Sequence, residues 1–162
     1  MLTEFKPHKG NKSILRDALS CFVSSLTIVK ANSPKSPLGV TANSFSSPSP
    51  SPLFVIWLPY IGIQRFTLFK QAENFAIHML SAIQEHLGNY FARSPFAFRS
   101  AEITFSDFKM PLIGSCIPKF GCKKTIYFGN GHNIVVGESE NAQMRNGGAL
   151  IVFPGQFREA YA

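Results

Sequence analysis

The sequence predicts a mainly β protein with flanking helices, its strands forming an antiparallel closed sheet. Three observations carry this. Six or more short runs rich in β-branched and aromatic residues recur along the chain, with only two main helical segments among them. Most connections between these runs are too short for a crossover helix, which disfavours a doubly wound parallel sheet. Thr125-Ile126-Tyr127-Phe128 and Asn133 to Glu138 flank Gly129-Asn130-Gly131-His132, and two β-rich runs around a Gly/Asn turn read as a hairpin.

Taken in order, Ser13 is placed to cap a helix beginning at Ile14. Ile14, Leu15, Ala18, Leu19, Phe22 and Val23 fall at helical spacing on one apolar face. Residues 1–12 read as an N-terminal tail and residues 13–162 as one domain. Leu26 to Val29 is a short strand, Asn32 to Pro37 a turn, and Leu38 to Ala42 the next strand, so a hairpin is expected here. Ser47 to Pro52 alternates serine with proline. Strand-like sequence resumes at once in Leu53 to Leu58. The stretch therefore reads as a rigid loop inside the domain, held extended by proline's fixed φ and free of ladder bonds. Arg65 to Gln71 is a short helix and Asn74 to Leu80 a buried strand. Ala82 to Ala92 is the second main helix, with Ile83, Leu87, Tyr90 and Phe91 on one side. Phe96 to Met110 is irregular. Pro111 to Lys124 holds strand material broken by Pro118 and Gly121, and Ala149 to Phe153 is the last strand.

A chain of 162 residues, 45% hydrophobic and 13% aromatic, is long enough to bury a core and is unlike a disordered segment. Its formal charge of +7 suits an anionic partner such as nucleic acid, a membrane surface or a phosphorylated cofactor. The basic residues are scattered, with Lys123-Lys124 as the adjacent pair, so no nucleic-acid groove is expected. No apolar run approaches the ~20 residues of a membrane span, and residues 1–12 lack a signal-peptide core, so no membrane partner is expected. Cys21, Cys116 and Cys122 leave one thiol over in any disulfide scheme, which points to a reducing, cytoplasmic setting. The cysteines and histidines lack metal-ligand spacing, so no metal is expected. Neither a Walker loop nor the Rossmann glycine fingerprint is present.

The most informative stretch is Gly39-Val40-Thr41-Ala42-Asn43-Ser44-Phe45-Ser46-Ser47. It passes from strand to a turn bearing amide and hydroxyl groups. Such a turn offers backbone N–H groups and hydroxyls to a planar heterocycle and a phosphate. The segment resembles the Gly-Val-Thr-Ala-Asn-Ser-Phe-Thr-Ser string of the flavin reductase-like family, differing only at Ser46. Further matches follow in order. Asp17 to Phe22 resembles the family's opening helix, and Asn74-Phe75-Ala76-Ile77-His78-Met79-Leu80 its Arg-Phe-Ala-Val-Asn-Val-Leu strand. Tyr90-Phe91-Ala92 resembles the Arg-Phe-Ala after its second long helix. Gly131 to Glu138 resembles Gly-Asp-His-x-Ile-x-x-Gly-Glu, best at His132, Ile134, Gly137 and Glu138, and Val152 to Phe157 resembles its closing strand. The chain departs from the family between Tyr60 and Thr67. An Arg-Ser-Ser-Ser-Thr run often helps hold the flavin phosphate there, whereas here Ile61 and Ile63 replace polar residues.

The resemblance implies an FMN-binding split barrel that moves hydride from NAD(P)H to FMN or FAD and supplies reduced flavin to a monooxygenase. A homodimer is implied, and the alternative is a flavin-binding barrel without efficient reductase activity. Thr41, Ala42, Asn43, Ser44, Ser46 and Ser47 are expected along the flavin, with Arg65 as a bidentate charge for its phosphate. His132 and Phe91 are expected at the nicotinamide site. No catalytic side chain is required, because the flavin carries the chemistry and the protein orients it.

Overall fold

The β-rich runs pair into three antiparallel sheets. The computed structural model describes residues 10, 12–19, 21–34, 36–59, 62, 66–94, 96, 103–105, 111–129, 132–153 and 156–160. Their elements in chain order are α1 (Lys12–Leu19), β1 (Ser24–Ser25), β2 (Thr27–Asn32), β3 (Pro37–Ala42), β4 (Ser46–Pro50), β5 (Leu53–Trp57), α2 (Phe66–Gln71) and β6 (Asn74–Met79). After a 3-10 turn (Ala82–Gln84) come α3 (Glu85–Arg93), β7 (Ile103–Phe105), β8 (Pro111–Ile113), β9 (Pro118–Gly129), β10 (His132–Met144), β11 (Ala149–Phe153) and β12 (Gln156–Ala160). The large sheet has the order β3-β2-β6-β9-β10-β5-β4. β1-β11-β12 and β7-β8 form the two smaller ones.

The order of the large sheet forces it to curl. β3 and β4 occupy its opposite edges, yet only Asn43, Ser44 and Phe45 separate them in the chain. Seven strands laid flat would put the two edges about 29 Å apart at ordinary strand spacing. The chain from Ala42 to Ser46 reaches at most about 14 Å. The sheet therefore wraps around until its edges approach, which gives the antiparallel split barrel expected from the sequence.

Period-two alternation sorts the side chains between the two faces of this sheet. Val29, Val40, Val55, Trp57, Phe75, Ile77 and Val135 fill the inside, and α2 adds Phe66 and Phe69. Trp57 meets the Phe69 ring edge-on at 5.5 Å, a favoured aromatic geometry. On the outside of β2 and β6, Ile28 and Leu26 pack under α3 with Leu80, Leu87, Phe91, Ile113 and Leu150. Two glycines let α3 come close. A Cβ on Gly39 would stand 2.7 Å from the Phe91 ring, and one on Gly88 would collide with Leu26.

Several sequence expectations change. Ser46–Pro50 is a strand paired with β5 through Ser46–Ile56, Ser49–Phe54 and Pro50–Leu53, not a loop free of ladder bonds. Pro48 and Pro50 are tolerated because β4 lies at a sheet edge, where an N–H on one side has no ladder to serve. Pro118 and Gly121 do not break β9. Pro118 is its first residue, and the missing Cβ of Gly121 makes room for Asn141, whose side chain would otherwise stand 2.6 Å away. That contact adjoins an irregularity between Ser139 and Asn141 in the β9–β10 register. α1 starts at Lys12 and ends at Leu19, so Phe22 and Val23 follow the helix and do not extend it. The expected tail, residues 1–12, lies outside the described residues except Gly10 and Lys12. Of the stretch from Phe96 to Met110 expected to be irregular, Ile103–Phe105 forms strand β7 paired with β8, and the rest but Phe96 lies outside the described residues.

Candidate functional site at the barrel seam

The seam loop is built from both edges of the sheet. β3 delivers Thr41 and Ala42, Asn43 to Phe45 cross the gap, and β4 carries Ser46 and Ser47 away. Phe45 anchors the crossing from inside by stacking on Phe120 with ring centroids 6.3 Å apart. Asn43, Ser46 and Ser47 are exposed, while Thr41, Ala42 and Ser44 are half-buried.

Most of the loop's hydroxyls are already engaged as donors. The Thr41 hydroxyl donates to the Gly88 carbonyl of α3 at 2.6 Å. Ser44 Oγ accepts the Leu58 N–H at 3.2 Å and faces the Leu58 carbonyl at 3.4 Å. Ser47 Oγ donates to the Phe54 carbonyl at 3.2 Å. A hydroxyl has one proton to give. These three therefore offer lone pairs, not donors, to a ligand. The donor set left facing solvent is the Asn43 amide, the Ser46 hydroxyl and loop backbone N–H groups. A flavin presents mainly acceptors along its ring edge, so this small set fits it.

The other expected site residues separate. β5 and β10 run antiparallel with Trp57 opposite Val135. The chain beyond Leu58, where Ser44 is clipped, therefore points toward the start of β10, and His132 opens that strand opposite Gly129. His132 thus lies near the Ser44 side of the seam loop along β5, whereas Thr41 on the other side registers through Ile28, His78 and Lys119 with Gln143 at the far end of β10. Arg65 and its neighbours Ile61, Ile63 and Gln64 lie outside the described residues. Phe91 is corrected. It is 2% exposed, with its ring against Gly39 in the core beneath α3. A ring with no free face cannot stack on a nicotinamide, so Phe91 is a packing residue.

Sequence reasoning missed Thr27. This residue is fully buried on β2, and its hydroxyl donates to the Ala42 carbonyl at 2.6 Å, the last residue of β3. The signal available was a single hydroxyl inside the apolar run Leu26-Thr27-Ile28-Val29. Two further buried polar groups, Lys30 and His78, lie on the outer face of β2 and β6. Burial holds the His78 imidazole well below its ordinary pKa, and the charges of Lys30 and Lys119 push the same way. A hydrogen bond with the Ile28 carbonyl opposes them. Among the described residues no group of three His, Cys, Asp or Glu side chains is placed to hold a metal, and no helix is long and apolar enough to cross a membrane.

A curled antiparallel sheet with an amide-bearing loop across its seam is the flavin-type split barrel. The family model of the flavin reductase like domain matches residues 19–161, and the chain belongs to that family. It is 36% identical over 154 residues to the FMN reductase (NADH) SmoA of Agrobacterium fabrum, covering 94% of this chain and 88% of that protein. It is 32% identical over 151 residues to the reductase component of the flavin-dependent trigonelline monooxygenase of Acinetobacter baylyi. That match covers 91% of this chain but 47% of the relative, so the chain spans about half of that protein's length. Among solved structures it is similar to the NADH:FAD oxidoreductase SgcE6 of Streptomyces globisporus C-1027 in complex with NAD and FAD fragments. The TM-score is 0.86 at 26% identity, over 96% of each chain.

Proposed function

We propose that this protein is a flavin reductase that takes hydride from NADH and delivers it to FMN, with FAD as a second acceptor. The observation that carries this reading is the seam loop, set in a chain similar over 94% of its length to an NADH-dependent FMN reductase. A bound flavin supplies the hydride acceptor, and NADH supplies the hydride. The chain's own residues orient and stabilise. Asn43 and the loop N–H groups face the ring edge, where negative charge grows as the hydride arrives, and fixed donors there lower the barrier. Arg65 supplies a charge for the flavin phosphate, and His132 positions the dinucleotide. No side-chain nucleophile takes part.

In this reading the working form is a homodimer in the cytoplasm, and reduced flavin passes to a monooxygenase component. The exposed apolar face of α1 supports the dimer, and the similarity to a monooxygenase reductase component supports the partner. A second reading, flavin binding without efficient turnover, is favoured by one observation: Ile61 and Ile63 fall in the stretch where the family resemblance led to the expectation of a hydroxyl-rich run.

Steady-state NADH oxidation with added FMN separates the two. Turnover that saturates in FMN supports the reductase, whereas flavin uptake with negligible NADH oxidation leaves the second reading. Asn43→Ala is expected to weaken FMN binding by about tenfold, the worth of one good hydrogen bond. His132→Ala is expected to raise the KM for NADH several-fold while leaving FMN binding in place. Unchanged titrations and kinetics in both variants would remove these residues from the site.

A further inference from the structure

The seam loop is held from three sides, and each hold is a side-chain hydroxyl on a backbone group. From inside the barrel, Thr27 donates to the Ala42 carbonyl at 2.6 Å. From outside, the Thr41 hydroxyl reaches the Gly88 carbonyl of α3, also at 2.6 Å. Across the seam, Ser44 Oγ takes the Leu58 N–H at 3.2 Å. Thr27 and Ala42 are the last register pair of the β2–β3 ladder, so this is the point where β3 leaves the sheet for its far edge. The end of a ladder frays most readily, and a side-chain hydroxyl on its last carbonyl adds a second hold there.

The choice of residue at position 27 needs a reason. Thr27 shares the inner face of β2 with Val29 and Ala31, inside an apolar core, and is fully buried. Valine has the same shape, and a buried hydroxyl costs free energy unless it is hydrogen-bonded. A second hold on the Ala42 carbonyl, and with it on the direction of the next peptide N–H, is what the hydroxyl adds that valine cannot.

We propose that Thr27 and Thr41 are positioning residues for flavin reduction, aiming the backbone N–H groups of the seam loop from inside and outside the barrel without touching the flavin. The proposal rests on the flavin reductase reading of this loop. It assigns Thr41 to bracing, not to flavin contact, and adds Thr27, which is too deeply buried to meet any ligand. Donor placement at an electron-accepting centre is sharply distance-dependent, so a small swing of the loop weakens flavin binding without altering the nicotinamide side.

The test uses the full chain with Thr27→Val, Thr41→Val and Thr27→Ser, each checked for a cooperative thermal transition. KM for FMN and for NADH are measured separately in each. We expect the KM for FMN to rise about five- to tenfold in both valine variants, with the KM for NADH within twofold of the parent. Thr27→Ser keeps the hydroxyl and is expected to return the FMN value to near the parent's. Should Thr27→Val fail to fold, the Thr41→Val split decides the matter. A lower melting temperature with an unchanged KM for FMN in the valine variants would overturn the positioning role and leave the reductase reading intact. Parent protein with no FMN-dependent NADH oxidation would overturn the reductase reading itself.

Discussion

α3 and α1 read alike in the sequence and end in opposite circumstances. Each carries apolar residues at helical spacing on one face. α3 buries its Leu87 and Phe91 in one cluster with Leu26, Ile28, Ile113 and Leu150, fitted closely because Gly39 and Gly88 yield space, while Ile83 and Tyr90 of the expected face stay 79% and 49% exposed. α1 leaves Ile14 41% and Leu19 63% exposed, and Phe22 just beyond it 77% exposed. Amphipathic periodicity therefore announces that a face wants covering, but what covers it depends on complementary gaps in the helix and in the surface it meets. For α3 those gaps are two glycines within 50 residues of each other. α1 has no such counterpart among the described residues.

The contrast can be broken by mutation. The largest effect is expected at Phe91→Ala, which empties a filled site under α3. It should cost about 3–5 kcal/mol of unfolding free energy by urea titration. A loss below about 1 kcal/mol would mean that the ring is not a core ring and would reopen a ligand role for it. The next effect concerns His78, buried on the same outer face of the sheet as Ile28. Its folded pKa lies below the ordinary 6.5, chiefly through desolvation and then through Lys30. The unfolded chain thus takes up a proton on acidification that the folded chain refuses. The stability tied to neutral His78 is complete above about pH 6.5. It falls by about 1.4 kcal/mol per pH unit below that, until the folded pKa is reached. His78→Asn should flatten that slope between pH 6.5 and 5. Parallel stability curves for parent and variant would show the imidazole to be hydrated. The smallest effect is expected at Phe22→Ser. In dilute, monomeric protein it should change stability by no more than about 0.5 kcal/mol, while sedimentation should show weakened self-association. A large stability loss in the monomer would place Phe22 in its own chain's core.

The legible part of the fold was the part that depends on local pattern. β-branched runs marked β2, β3, β5, β6 and β11, and the Gly/Asn turn marked the β9–β10 hairpin. β4 was hidden because Pro48 and Pro50 read as ladder breakers, and only edge position makes them acceptable. β12 was hidden because Gln156-Phe157-Arg158-Glu159-Ala160 carries little apolar alternation and forms by pairing with β11. The same division holds at the site. Motif similarity pointed to the seam loop and led to the expectation that Thr41, Ser44 and Ser47 lie along a flavin. The carbonyls that engage these hydroxyls, on Gly88, Leu58 and Phe54, come from other elements, and no local reading of nine residues reveals them. Thr27 acts on a residue fifteen positions away across a ladder, which is visible only once strands are registered.

Ala42 and Ser46 are four positions apart along the backbone and six ladders apart across the sheet. Their loop can take its final shape only after every intervening pairing has formed, so it is among the last features to be defined as the chain folds. The converse is a built-in quality control. A molecule with any one strand displaced leaves the two edges too far apart for three residues to bridge.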